Sequence, residues 1–349
     1  MKLFLYITIV YYHVVLAATS RRSVVKCSFS IDVVMTPQLE QVVEPVWLGE
    51  GPHWSHDHQA LFFVSIFDHT IHKFTPETNE HIKAKLEGMP TFIIPVEGRL
   101  DEFVVGLNRS VVVVRWGAAA AGAGCPCAGA GAGAAVVREL ARVDDHAPGN
   151  RFNDAKADPR GRLFAGTMGH EYAPGKFDLK KGSLYRMDAA GSMTRVISDV
   201  DICNGLCWDE QNKAFYFVDS FEYTVRRYDY DIETGDISNP STAFDLKAAG
   251  LAGIADGMTI DTDGNLWIAN FDGSQVVKVD PRSGRVLQKV PTPALQTTSA
   301  AWGGPALDQL FVTSAAMDRG APQPPPAGGT FRLTGLGARG HANHNVRLL

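Results

Sequence analysis

The chain has 349 residues, a formal net charge of −5, 45% hydrophobic residues and 20% charged residues. This composition is that of a folded globular protein, and the absence of a basic block excludes nucleic acid as an expected partner. The length allows two or three domains, but an all-β barrel or propeller of this size also forms one unit.

At the N-terminus, Lys2 is followed by an apolar run from Leu3 to Ala18, with Val15-Leu-Ala17 as a small-residue cleavage motif. Residues 1–34 read either as a secretory signal peptide or, if translation starts at Met35, as an upstream extension. The first places the mature chain outside the cell and the second in the cytoplasm. The run is too short and too polar for a membrane span. Five cysteines in a chain this long do not make a disulfide framework, and Cys125-Pro-Cys127 and Cys203-x-x-x-Cys207 are poor zinc signatures; free thiols are expected.

From residue 36 to about 340, short β-rich runs alternate with turn signals, and no long amphipathic helix interrupts them. The runs Ala60-Leu-Phe-Phe-Val64, Arg162-Leu-Phe-Ala165, Ala214-Phe-Tyr-Phe-Val218, Asn265-Leu-Trp-Ile-Ala269 and Gln309-Leu-Phe-Val-Thr313 each follow a turn. Each turn is preceded by another short strand. The residues that open those preceding strands are Glu50, Asn153, Asn204, Asp256 and Ser299, at intervals of 103, 51, 52 and 43. The first interval is twice the second, so one unit is hidden near residue 101, with Glu102–Gly106 as its expected first strand. Six units of strands at this period predict an all-β, six-bladed β-propeller in a single domain over 36–340. Residues 117–135, of which 16 are Gly or Ala, read as a flexible insert between blades two and three. Trp54, Trp208, Trp267 and Trp302 recur at equivalent positions and are expected in the core between blades.

The first strand of each propeller blade lines the central channel, so Glu50, Asn153, Asn204 and Asp256 are expected to face one another there. Two carboxylates and two carboxamide oxygens suit one hard divalent cation in the channel, Ca²⁺ or Zn²⁺, with Mg²⁺ or Mn²⁺ also accommodated. Singly, Asn204-Gly205 and Asp256-Gly257 are equally good turn dipeptides. Asp261-Thr-Asp-Gly-Asn265 lacks the later ligands of a calcium loop and reads as a hairpin turn. His53 is either a residue near the site or a structural one.

Asn150-Arg-Phe-Asn-Asp154, Phe164-Ala-Gly-Thr-Met168, Asp201-Ile-Cys-Asn-Gly205, Phe217-Val-Asp-Ser220, Ala255-Asp-Gly-Met258 and Leu266-Trp-Ile-Ala269 resemble the regucalcin (senescence marker protein) and gluconolactonase family, which includes the insect luciferin-regenerating enzymes. The resemblance covers about residues 36–340. It implies a six-bladed propeller that hydrolyses a small sugar lactone with a bound divalent cation. It places the metal ligands on Glu50, Asn204 and Asp256, with Asn153 shared between metal and substrate, and the substrate contacts on Arg151, Asn153 and Glu171. Asp256 would be the general base, and a monomer is expected. The alternative is a calcium-binding regulatory protein without important turnover. Gly169-His170 and Ala255 depart from the usual pattern, and the Gly/Ala insert has no counterpart in it.

Overall fold

The structure, a computed structural model, describes residues 36–117 and 133–349 apart from 210, 212 and 319. The N-terminal segment, Cys27, Cys125, Cys127 and most of the Gly/Ala insert lie outside the described residues. The insert was expected to end at residue 135, but Ala134 and Ala135 already belong to a strand.

Strand β1 (Gln38–Val43) is followed by six antiparallel four-stranded sheets. Blade one is β2 (Gly49–Ser55), β3 (Ala60–Ser65), β4 (Thr70–Thr75) and β5 (Glu80–Lys85). Blade two is β6 (Pro90–Pro95), β7 (Glu102–Leu107), β8 (Ser110–Trp116) and β9 (Ala134–Arg142). Blade three is β10 (Arg151–Ala157) and β11 (Leu163–Met168), then, after a small hairpin of β12 (Glu171–Ala173) and β13 (Lys176–Phe177), β14 (Gly182–Met187) and β15 (Met193–Val200). Blade four is β16 (Cys203–Trp208), β17 (Ala214–Asp219), β18 (Thr224–Tyr230) and β19 (Ile237–Asp245). Blade five is β20 (Ile254–Ile260), β21 (Leu266–Phe271), β22 (Gln275–Asp280) and β23 (Arg285–Pro291). Blade six is β24 (Gln296–Gly303), β25 (Gln309–Ala315) and β26 (Thr330–Thr334), completed by β1 pairing Gln38 with Thr334. The N-terminal strand thus closes the ring, which removes a free sheet edge.

Burial grades outward along each blade. The second strand of blade one, ALFFVS, is wholly buried, whereas its fourth, EHIKAK, is mostly exposed. The repeated tryptophans fill the seams between blades. Trp54 stacks on Phe311 of blade six at 5.5 Å, and Trp267 meets Trp302 edge-on at 5.2 Å.

The hidden blade exists, but its first strand is β6, not Glu102–Gly106, which is the second strand β7. Thr91 is its axial residue, 41 positions after Glu50 and 62 before Asn153. An even spacing fails here because the long β8–β9 connection stretches this blade. PTFIIP also carries no carboxylate or amide to mark its phase.

Each innermost strand breaks register once, near its start. The breaks fall between Glu50 and His53, Pro90 and Phe92, Phe152 and Ala155, Cys203 and Leu206, Ala255 and Met258, and Thr297 and Ser299. Such bulges re-aim the side chains they contain. Asn204-Gly205 and Asp256-Gly257 are therefore bulges in channel-lining strands, not turns. The glycines are required by close approach: a Cβ on Gly205 would lie 2.5 Å from the Met258 Cβ, and one on Gly257 would lie 1.9 Å from the Ser299 Oγ.

Beyond residue 340, where the repeat ends, the chain continues across the face at the far ends of the innermost strands. Gly340 donates to Leu307 O, Asn343 to Trp54 O, Val346 to Pro95 O, Arg347 to Gly161 O and Leu349 to Ala189 O. These contacts tie blades six, one, two and three together. Among the described residues no helix is long and apolar enough to cross a membrane.

Candidate functional site

All innermost strands run the same way, so their first residues gather at one mouth of the channel. There Glu50, Arg151, Asn153, Glu171, Asn204 and Asp256 line a single pocket of about 200 Å³. Every site residue expected from the sequence is in it. Glu50, Asn153, Asn204 and Asp256 are between 4% and 8% exposed.

The amides form a directed chain. Arg151 Nη1 donates to Asn153 Oδ1 at 2.6 Å and to Phe152 O at 2.9 Å. Asn153 Nδ2 donates to Asn204 Oδ1 at 3.0 Å and to Cys203 O at 2.9 Å. Asn204 Nδ2 donates to Ser220 Oγ at 2.8 Å, and that hydroxyl donates to Ala255 O at 2.7 Å, on the strand that carries Asp256. Ser220 opens a short 3₁₀ turn, Ser220–Glu222, and fixes which way the Asn204 amide faces.

Glu171 sits on the β12–β13 hairpin, and its Oε1 accepts the Gly175 N–H at 2.8 Å. Gly169 lets this hairpin fold back, since a Cβ there would lie 1.9 Å from the Asp178 carbonyl oxygen. The departure at Gly169 thus has a local steric reason.

Electrostatically the floor is short of positive charge. Burial, then Asp154, pushes Glu50 up to about 8. Burial, then Glu50 and Asp154, raises Asp256 well above the usual carboxylate range. Asp154, directly below, is raised by burial to about 6, against the opposing pull of Lys156. Burial lowers the pKa of Arg151, opposed by Glu171, Glu50 and Asp256. A divalent cation would relieve this crowding of desolvated carboxylates. Among the described residues no three His, Cys, Asp or Glu side chains form a metal-binding group. The candidate donors are two carboxylates and carboxamide oxygens, which fit a hard cation with water filling the remaining positions.

Asp154, Lys156 and Ser220 are residues that sequence reasoning missed. Asp154 had a signal: it stands where the other marked blades carry Gly51, Gly205 and Gly257. Lys156, whose Nζ donates to Met258 O at 2.8 Å, and Ser220 had none beyond their motifs. His53 is 4% exposed and lies deeper in the channel than the pocket, in a narrow space with Asp154 and Lys156; burial lowers it to about 3. Cys203 and Cys207 are free and buried, and burial raises both thiols, Cys207 to about 12, which disfavours the reactive thiolate. The Asp261 carboxylate accepts from Asp263 N, Asn265 N, Trp267 Nε1 and Lys278 Nζ, which saturates it as a hairpin turn.

The chain is similar over most of its length to known proteins. The pattern of the SMP-30/Gluconolactonase/LRE-like region matches residues 48–316. Regucalcin of Bos taurus is 44% identical over 295 residues, covering 84% of this chain and 92% of its own length. Regucalcin of Gallus gallus is 34% identical over 296 residues, with the same coverage. A solved luciferin-regenerating enzyme is 34% identical and superposes with a TM-score of 0.81, covering 90% of this chain and all of its own. Regucalcin of Agrobacterium tumefaciens, described as a calcium-binding protein, is 25% identical with a TM-score of 0.73, over 87% of this chain and 95% of its own. The chain belongs to the SMP-30/gluconolactonase/LRE-like family.

Proposed function

We propose that the protein is a divalent-cation-dependent lactone hydrolase, with a sugar lactone of the gluconolactone type as reference substrate. The observation that carries this reading is the meeting of Glu50, Asn204 and Asp256 with Arg151, Asn153 and Glu171 on one pocket floor. Ion binding alone has no use for a guanidinium and a further carboxylate beside the donor set.

Glu50, Asn204 and Asp256 would hold the cation, Ca²⁺ or Zn²⁺, with Asn153 beside it. When bound, the cation polarises the lactone carbonyl and stabilises negative charge on its oxygen. Asp256 would accept the proton of the attacking water on a carboxylate oxygen and, as the ring acyl C–O bond breaks, return it to the departing ring oxygen, which leaves as the hydroxyl of the open-chain acid. Arg151 presents its remaining N–H donors to ring or exocyclic oxygens, in a fixed fork. Asn153, held by Arg151, and Glu171 orient the ring for attack. No covalent nucleophile is required.

Hydrolysis of glucono-1,5-lactone and unsubstituted δ-valerolactone by purified protein tests this, with and without chelator, against Asp256→Ala. Turnover abolished by chelator and by Asp256→Ala is expected; equal rates in every condition would sink the hydrolase reading. The description of the Agrobacterium tumefaciens relative as calcium-binding favours a second reading, a calcium-binding regulatory protein. Calorimetric Ca²⁺ binding with no hydrolysis of either lactone would support it instead.

A further inference from the structure

The floor and the wall of the pocket differ in chemistry. On the floor, many polar atoms are engaged with one another. Arg151 Nη1 is committed to Phe152 O and Asn153 Oδ1, Asn153 Nδ2 to Cys203 O and Asn204 Oδ1, and Asn204 Nδ2 to Ser220. Glu171 Oε1 closes its own hairpin. The polar atoms of the pocket, the remaining Arg151 N–H donors among them, are thus gathered on the floor and serve the lactone ring. The wall above includes Phe67, Phe177, Phe221, Phe271 and Met317. Phe177 and Phe221 meet edge-on at 5.8 Å, joining the hairpin to the 3₁₀ turn.

The apolar wall continues outward. Trp47 packs edge-on against Phe67, with ring centroids 5.5 Å apart, yet remains 53% exposed. The other four tryptophans of the repeat are nearly wholly buried. Trp47 is thus not part of the inter-blade core but an apolar surface beside the pocket mouth. A polyhydroxylated arm along this wall would set hydroxyls against aromatic carbon, where they lose water and gain no partner. A hydrocarbon arm would exchange water for ring contact, which is favourable.

Resting on the lactone-hydrolase reading, we propose that the preferred substrate class is a lactone with an apolar alkyl or aryl arm of several carbons. The ring sits on the polar floor and the arm lies along Phe67 and Trp47.

Two non-hydrolysable probes, δ-valerolactam and its 6-pentyl derivative, test the pocket by calorimetry on cation-loaded protein. The pentyl lactam is expected to bind at least about tenfold more tightly, from the methylenes it buries. Phe67→Ser should shrink that preference, and Trp47→Ser, at a half-exposed residue outside the pocket lining, should shrink it while leaving δ-valerolactam affinity unchanged. Equal binding of the two lactams, no measurable binding of either, or variants that weaken both alike would overturn the inference. Hydrolysis of δ-valerolactone, its 6-pentyl derivative in the same ring numbering and glucono-1,5-lactone, measured in parallel, separates this inference from the function it rests on. Turnover of lactones without a lactam preference removes the apolar arm and leaves the hydrolase. A lactam preference without turnover of any lactone removes the hydrolase and supports the apolar subsite.

Discussion

The two mouths of the central channel are built from the same innermost strands and carry opposite roles. At the starts of those strands, bulges turn Glu50, Asn153, Asn204 and Asp256 inward onto an open pocket. At their far ends the register is regular, and the C-terminal segment crosses the mouth. The cavity there, about 340 Å³, is lined by strand residues such as Lys156, Cys207 and Thr259 together with His341–His344 of that segment. The open mouth concentrates desolvated charge, which costs stability and, on the proposed function, serves lactone hydrolysis. The covered mouth spends the chain on backbone hydrogen bonds and a buried Val346, which serve stability. The difference shows that a propeller can separate the two demands along one axis.

The largest effect that would break this comparison is at the open mouth. Asp256→Asn keeps the shape and removes the proposed base, so kcat for lactone hydrolysis should fall by roughly 10²–10⁴. An unchanged kcat would place the reaction elsewhere. Ser220→Ala removes the hydroxyl that orients Asn204, and should weaken cation affinity about 10–100-fold in a calorimetric titration. An affinity equal to wild type would show that Asn204 needs no such support.

The covered mouth gives the smaller, structural effects. Val346→Ala deletes buried methyl groups and should lower the free energy of unfolding by roughly 1–3 kcal/mol, read from the denaturant midpoint. Its kcat/KM should stay within about a factor of two, because Val346 lines neither the open pocket nor the far cavity, and the linings of the two do not overlap. A larger loss of activity would show that the mouths are coupled. Asn343→Ala removes hydrogen bonds to Trp54 O and Trp302 O and should cost about 1 kcal/mol by the same measurement. No loss would mean that this crossing is held by Val346 and its neighbours alone.

Most of the site was legible because the repeat is visible in residue types. Glu50, Asn153, Asn204 and Asp256 recur at one phase, each next to Gly or Asp, and the family motifs added Arg151 and Glu171. The blade-two strand was misplaced because Pro90–Pro95 carries apolar and threonine side chains at the phase where other blades carry acids or amides, and because the insert lengthened the interval. Ser220 was illegible because its role depends on blade four lying against blade five. Its hydroxyl acts between Asn204 and the Ala255 carbonyl, 16 and 35 positions away along the chain.

The sequence by itself determined the number of blades, the four polar residues Glu50, Asn153, Asn204 and Asp256 at one repeat phase and the buried seams, since all three follow from local patterns repeated along the chain. Only the tertiary structure decided how the ring closes, which mouth stays open and what covers the wall. β1 reaches β26 across nearly the whole chain, residues 340–349 fold back over the channel, and Trp47 meets Phe67 beside the pocket. Such contacts join segments that share no pattern, so packing and backbone hydrogen bonding select them only once the blades have assembled.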